Sequence, residues 1–294
     1  MIIFASGRTD MPAFYGEWFH RRYQAGFVDV RNPFRHELVS RMYFSDCDLI
    51  QFCSKNPRPF IPYLKEITQP VLFHVTLTPY RKDIEPNVPE KKEVVEDIKT
   101  LSRLLGKDRV FLRYDPIFLS DAYPLSYHLK AFDRLCSLLD GSIETIIVSF
   151  LDRYKNVEKN IKTINPRPFT EEDYQAIGEG FSASANAHGM SVQTCFEERN
   201  LLEYGFVHGC CLSQELAYHL TGKKFPRFQG RKGGLCGCAQ TCDIGAYNSC
   251  SHRCKYCYAN YSEEEISHNL LLHDDDSTML LGHLEEGDIV KIRK

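Results

Sequence analysis

The chain has 294 residues, 43% hydrophobic and 12% aromatic, enough apolar material for one large core or two modest ones. A net charge of −3 and a pI near 6.4 exclude a global basic field for nucleic acid, though not a local basic groove. No apolar run is long enough to span a bilayer, and Met1-Ile2-Ile3-Phe4-Ala5 has no basic segment before it. The start therefore reads as a strand rather than a signal peptide, and a cytoplasmic protein without a membrane partner is expected.

Short β-rich runs alternate with amphipathic stretches along the chain. The pattern predicts strands at Ile2–Ala5, Phe27–Val30, Leu49–Cys53, Leu72–Leu77, Val110–Tyr114, Thr145–Phe150 and Ser191–Cys195, with an eighth around Asp243–Tyr247. Val94, Ile98, Leu101 and Leu105 form one helical stripe, and Leu125, Leu129, Phe132, Cys136 and Leu139 a second. Tyr174, Ile177, Phe181 and Ala185 make a third. Pro89 and Pro124 lie at or just before helix starts, where a missing N–H is tolerated. Seven or eight βα units predict an α/β fold, a TIM-like (β/α) barrel or an open version of one, forming one domain over residues 1–294, with a cysteine-rich portion at 195–260. Residues 222–238, with six glycine or proline positions among them (Gly222, Pro226, Gly230, Gly233, Gly234 and Gly237), read as a long functional loop. Glu263–Glu265 and Asp274–Asp276 read as solvated surface.

In a βα barrel the catalytic face forms at the C-terminal strand ends, and polar residues gather there in this chain. Ser6-Gly7-Arg8-Thr9-Asp10 follows the first strand, and Ser54-Lys55-Asn56-Pro57 the third. Arg113-Tyr114-Asp115-Pro116 ends the fifth, and Thr194-Cys195-Phe196-Glu197-Glu198 the seventh. Charged groups at the ends of buried strands need partners, because an unpaired buried charge is costly. An anionic or zwitterionic ligand would supply them; structural ion pairs across the barrel mouth are the plainer alternative.

Twelve cysteines in a reducing compartment point to metal or catalytic roles rather than disulfides, and nine lie between Cys195 and Cys257. Cys53 and Cys136 read as small core hydrophobes. Cys236-Gly237-Cys238 puts two thiols on one side of an extended segment. With Cys195 at a strand end and Cys210 or Cys211 after His208-Gly209, four thiols could enclose a metal, either iron–sulfur or zinc. The most specific signal is Cys250-Ser251-His252-Arg253-Cys254-Lys255-Tyr256-Cys257, a C-x3-C-x2-C run with an aromatic before its last cysteine. Three thiolates on so short a loop can hold three irons of a cubane and leave the fourth open. Zinc sites instead favour paired C-x2-C or Cys/His sets.

This run resembles the cluster loop of the radical S-adenosylmethionine (SAM) superfamily, and Cys257-Tyr258-Ala259-Asn260 is similar to the same region in spore photoproduct lyase. The resemblance implies a [4Fe–4S] cluster on Cys250, Cys254 and Cys257, SAM on the open iron, and Tyr256 near the adenine. It also implies a reducing partner such as flavodoxin or ferredoxin. Superfamily motifs follow the first barrel strand, whereas here most of the barrel precedes the loop. A circular permutation, with Asp243–Tyr247 as first strand and Ile2–Ala5 as second, reconciles the two. It assigns Arg8, Thr9 and Asp10 to SAM binding, and Lys55, Arg113 and Asp115 to SAM or substrate.

The chain is also similar along its length to an uncharacterised, mostly bacterial family, domain-of-unknown-function family 1848. The shared segments are Ala5–Asp10, Arg31-Asn32-Pro33, Lys55-Asn56-Pro57, Thr76–Tyr80, Arg113–Pro116, Cys236-Gly237-Cys238, Asp243–Asn248 and the cysteine loop. Gly7 departs from a second arginine in that family.

Three functions follow as expectations. The first is a radical SAM-type enzyme, with Cys195, Cys211, Cys236 and Cys238 holding a second cluster. The second is a two-cluster electron-transfer protein that does not cleave SAM. The third is a zinc-binding interaction or nucleic-acid module, with Cys236, Cys238, Cys250, Cys254 and Cys257 as ligands and His252 as a further candidate, and with Arg227, Arg231 and Lys232 interleaved with Phe225 and Phe228 against the nucleic acid.

Overall fold

The computed structural model describes residues 1–229 and 236–294. Its strands are β1 (Ile2–Phe4), β2 (Phe27–Arg31), β3 (Leu38–Tyr43), β4 (Leu49–Ser54), β5 (Val71–Thr76), β6 (Val110–Ile117), β7 (Thr145–Phe150), β8 (Ser191–Thr194), β9 (Cys242–Asp243) and β10 (Ile289–Ile292). The chain divides into two compact units. One comprises residues 1–72, 241–253 and 258–294; the other comprises 73–240 and 254–257.

In the first unit β1 pairs in parallel with β4 on one side and β9 on the other, Ile3 standing opposite Ile50 and Cys242. A separate antiparallel hairpin joins β2 to β3, and β10 adds to β3 in parallel. The expected strand at Phe27–Val30 therefore exists but belongs to this second sheet. Leu38–Tyr43 folds back onto it and sets Phe27 opposite Tyr43. The helix Gly16–Ala25 buries Trp18 and Phe19 and ends at Gly26, whose φ of 85° closes the left-handed cap.

In the second unit β5, β6, β7 and β8 form successive parallel ladders. β5 is buried at every position and β7 nearly so, as expected of strands covered on both faces. The helices Lys91–Leu105, Leu125–Leu138 and Glu171–Ala187 lie where their apolar stripes predict. The last opens with a capping box between Thr170 and Asp173.

Strand order across the seven-stranded sheet is β8-β7-β6-β5-β4-β1-β9. Among the described residues no ladder joins the edge strands β8 and β9, so the expected α/β fold is present as an open, mostly parallel sheet and not as the closed form of the barrel. β9 contributes only two residues, fewer than the five at Asp243–Tyr247 in the expected eighth strand. Among the described residues no helix is long and apolar enough to cross a membrane.

Candidate functional site

In the first unit, the turn after β1 meets the segment after β9. Asp10 caps the helix Met11–Phe14, its Oδ1 accepting from the Ala13 N–H at 3.1 Å. Its Oδ2 accepts from the Lys55 N–H at 2.8 Å and lies 2.9 Å from His252 Nε2. Asp10 and His252 are both buried, and the Phe14 ring packs edge-on against the imidazole at 4.7 Å. Ser249 donates to Thr9 Oγ1 at 2.8 Å, and Tyr15 donates to the Ser249 carbonyl at 2.5 Å. Burial raises the Tyr15 pKa, and the nearby Cys250 adds to the effect. Arg8 donates through Nε to Asp243 Oδ2 at 3.0 Å and lies over the Tyr247 ring. Burial lifts the Asp243 pKa while Arg8 pulls it back. Gly7 has a local reason: a Cβ there would run into the Asp243 carboxylate. An arginine at position 7 would force that carboxylate off Arg8.

The sequence-derived residues Arg8, Thr9 and Asp10 are thus brought onto residues 243–252 in one unit. Lys55 joins them through its main chain. The Cys250 carbonyl is held by Asn260 Nδ2 at 2.9 Å. Asn248 and Arg253 take positive φ values of 54° and 56°, which tighten the turns on either side of Cys250.

In the second unit Cys254 and Tyr256 belong to an apolar cluster with Tyr80, Ile84, Phe118, Tyr123 and Val157. Asn156 donates to the Cys257 carbonyl at 2.6 Å and Asn160 to the Lys255 carbonyl at 2.9 Å. The Lys255 N–H reaches the Ile84 carbonyl at 3.0 Å, and the Cys257 N–H reaches that of Cys254 at 3.1 Å. Tyr256 is buried and donates its hydroxyl to Glu85, which also accepts from Thr78 at 2.6 Å and pairs with Lys91. Glu85, Asn156 and Asn160 were not legible as site residues. A lone carboxylate or amide in a polar stretch has no spacing signature.

The same unit gathers a second set of thiols. Cys195 and Cys236 are buried, and Cys210, Cys211 and Cys238 are half-buried. Arg113 donates through Nη1 to Cys211 Sγ at 2.8 Å and through Nε to Asp115 Oδ2 at 3.0 Å. Ser149 donates to the other Asp115 oxygen. The Cys211 thiol is held well below its ordinary pKa, chiefly by donation from Cys195 and Cys238 and then by Arg113. Arg113 and Asp115 therefore form an ion pair on the edge of the thiol group. Glu197, just past Cys195, accepts from the Phe150 N–H at 2.8 Å, and burial pushes its pKa up to about 8.

None of the twelve cysteines, all described, forms a disulfide. Among the described residues no group of three or more His, Cys, Asp or Glu side chains is arranged so that it could hold a metal ion. Of the basic residues expected to contact nucleic acid, Arg227 gives its Nε to the Cys236 carbonyl at 2.8 Å. Arg231 and Lys232, with Gly230, Gly233 and Gly234 of the long loop, lie outside the described residues.

The fold and these sites define an α/β protein with two thiol-rich regions, each next to the end of a parallel strand. The model of a family described as a domain of unknown function, DUF1848, matches residues 2–259, and the chain belongs to that family. No curated protein and no solved structure matches it.

Proposed function

We propose that this chain is an iron–sulfur enzyme of the radical SAM type acting on a substrate still to be identified. Its sheet would be a circularly permuted, barrel-derived arrangement counted from β9. The observation that carries the reading is the strand order. Taken from β9, the sheet runs β9-β1-β4-β5-β6-β7-β8, and the C-x3-C-x2-C run follows β9, the first strand of that count.

The donor set fits a [4Fe–4S] cluster held by Cys250, Cys254 and Cys257: three thiols within eight residues and no disulfide among them. When bound, the cluster supplies an electron that cleaves SAM to methionine and a 5′-deoxyadenosyl radical able to abstract hydrogen from a substrate. The chain's own part is to bind, orient and exclude water. Asn156, Asn160 and Asn260 fix loop carbonyls from outside, so less backbone freedom is lost when the thiols close on the cluster. The aromatic wall of Tyr80, Phe118 and Tyr123 keeps water from Cys254. Tyr256, tied to Glu85, orients the loop between its last two cysteines.

Arg8, Thr9, Asp10 and Lys55 are the groups proposed for the amino and carboxylate ends of SAM. Arg113 and Asp115 are engaged with each other and with Cys211, which favours a supporting role for them over substrate contact. Electrons would come from a small reductant of the flavodoxin or ferredoxin kind, in a cytoplasmic setting.

The test is iron and acid-labile sulfide content after anaerobic purification, with electron paramagnetic resonance spectra of the reduced protein with and without SAM. A spectrum that shifts with SAM, and 5′-deoxyadenosine formed on reduction, are expected. A cluster spectrum indifferent to SAM, with no 5′-deoxyadenosine, would replace this reading with electron transfer.

A further inference from the structure

Next to Cys254 and Cys257 the second unit carries a compact basic surface. The short helices Lys155–Glu158 and Ile161–Ile164 turn one face inward and one outward. Asn156, Val157 and Ile164 are buried, and Val157 and Ile164 pack in the same apolar cluster as Cys254 and Tyr256, with Cys257 against it. Asn156 and Asn160 hold the Cys257 and Lys255 carbonyls from this inner side. On the outer side Lys155, Lys159 and Lys162, spaced i, i+4 and i+7, are all exposed.

Between Asp152 and Lys162 stand four cations and two carboxylates, a local +2 in a chain whose total is −3. Glu158 is taken by Arg153 at 2.5 Å, and Asp152 accepts from the Tyr154 hydroxyl at 3.1 Å. Among the described residues Lys155 and Lys162 have no carboxylate partner. The lysines therefore present uncompensated positive charge, separated from the apolar cluster around Cys254 by one layer of helix, about 10 Å thick. That is a short path for an electron and a poor one for a substrate. Nucleic acid calls for a groove with several stacking aromatics, and this face offers Tyr154, 43% exposed, as its aromatic. A protein bearing carboxylates on a small surface fits it better, with Tyr154 as an amphipathic anchor.

We propose that the face formed by Lys155, Lys159 and Lys162 is the docking surface for an acidic one-electron carrier, a small reduced flavin or iron–sulfur protein. The inference rests on the radical SAM reading given above. On docking, the carrier is oxidised by one electron and the cluster is reduced by the same electron, with no bond made or broken. Charge steers the carrier to this face, so its association weakens as salt screens the lysines.

The experiment compares the full chain with the double variant Lys155→Glu/Lys162→Glu, both positions being exposed. Binding of a purified bacterial flavodoxin is measured by titration calorimetry at low and high salt. The double variant should bind about tenfold more weakly or worse and lose the salt dependence, while Lys155→Arg/Lys162→Arg should bind as the parent does. Formation of 5′-deoxyadenosine driven by dithionite, which needs no docking, should be equal in all three and also reports that each is folded. Equal flavodoxin binding by parent and double variant, with dithionite-driven cleavage intact, would overturn the docking proposal and leave the radical SAM reading standing. No 5′-deoxyadenosine from the parent with dithionite would overturn both. Binding of single-stranded oligo(dT), lost in the double variant while flavodoxin binding is kept, would overturn the proposal by assigning the face to nucleic acid.

Discussion

The two thiol regions differ in how their cysteines are assembled. The loop at Cys250–Cys257 carries its three cysteines within a single turn-rich run, and the fold's contribution there is to tie down carbonyls and wall off Cys254. The second set comes from stretches distant in sequence, Cys195 just past β8 and Cys211 held by Arg113 of β6 at 2.8 Å. Local spacing can define an open site, in which one metal position is left for chemistry.

The strongest way to break this comparison is to remove one cysteine from each region. Cys254→Ala should take iron from about four per chain to near zero. Cys211→Ser, which removes the sulfur that accepts from Arg113, should leave that iron in place under the same anaerobic analysis. If Cys211→Ser loses the iron as well, the two regions act as one cooperative site and the contrast fails.

Acid sharpens it next. His128, fully buried behind Tyr80 and Tyr114, accepts from the Tyr114 hydroxyl at Nδ1 and donates from Nε2 to the Phe118 carbonyl. Burial pushes its pKa down to about 4 from an unfolded value near 6.5. The unfolded chain therefore binds more protons between those values, so the stability is present above pH 6.5 and is lost as pH falls toward 4. The loss should be on the order of 3 kcal/mol. His128→Leu should flatten that part of the pH profile of urea unfolding.

Smaller effects follow around the loop. Tyr256→Phe leaves buried Glu85 without one donor and should cost about 1–3 kcal/mol in urea unfolding. Asn156→Ala or Asn160→Ala, each freeing one loop carbonyl, should cost about 1 kcal/mol. Both should slow iron–sulfur reconstitution followed by absorbance.

Much of this molecule was legible from its residues, for identifiable reasons. Leu125, Leu129 and Phe132 mark their helix because a 3.6-residue period survives any tertiary setting. Thr145–Phe150 reads as a buried strand because it is apolar along nearly its whole length. Leu38–Tyr43 was missed because Ser40 and Arg41 break its apolar run, and the pairing that makes it a strand is with β2 and β10. Strand counting gives the number of βα units, not whether the last meets the first, so the closed barrel and its open version read alike in the sequence. At the sites, C-x3-C-x2-C announces itself. The bond from Arg113 to Cys211, 98 residues further along the chain, is one that no spacing encodes.

The first unit is written in three pieces, residues 1–72, 241–253 and 258–294, with the bulk of the second unit inserted between them. At roughly 5–20 residues per second, synthesis of the intervening 73–240 takes about ten to thirty seconds. During that interval β1 and β4 exist on the ribosome without β9, and the β2–β3 hairpin without β10. The cysteine loop is made within the same late stretch that completes this unit. Closure of the first unit thus waits for the last stretch of the nascent chain, in which the cysteine loop is also made.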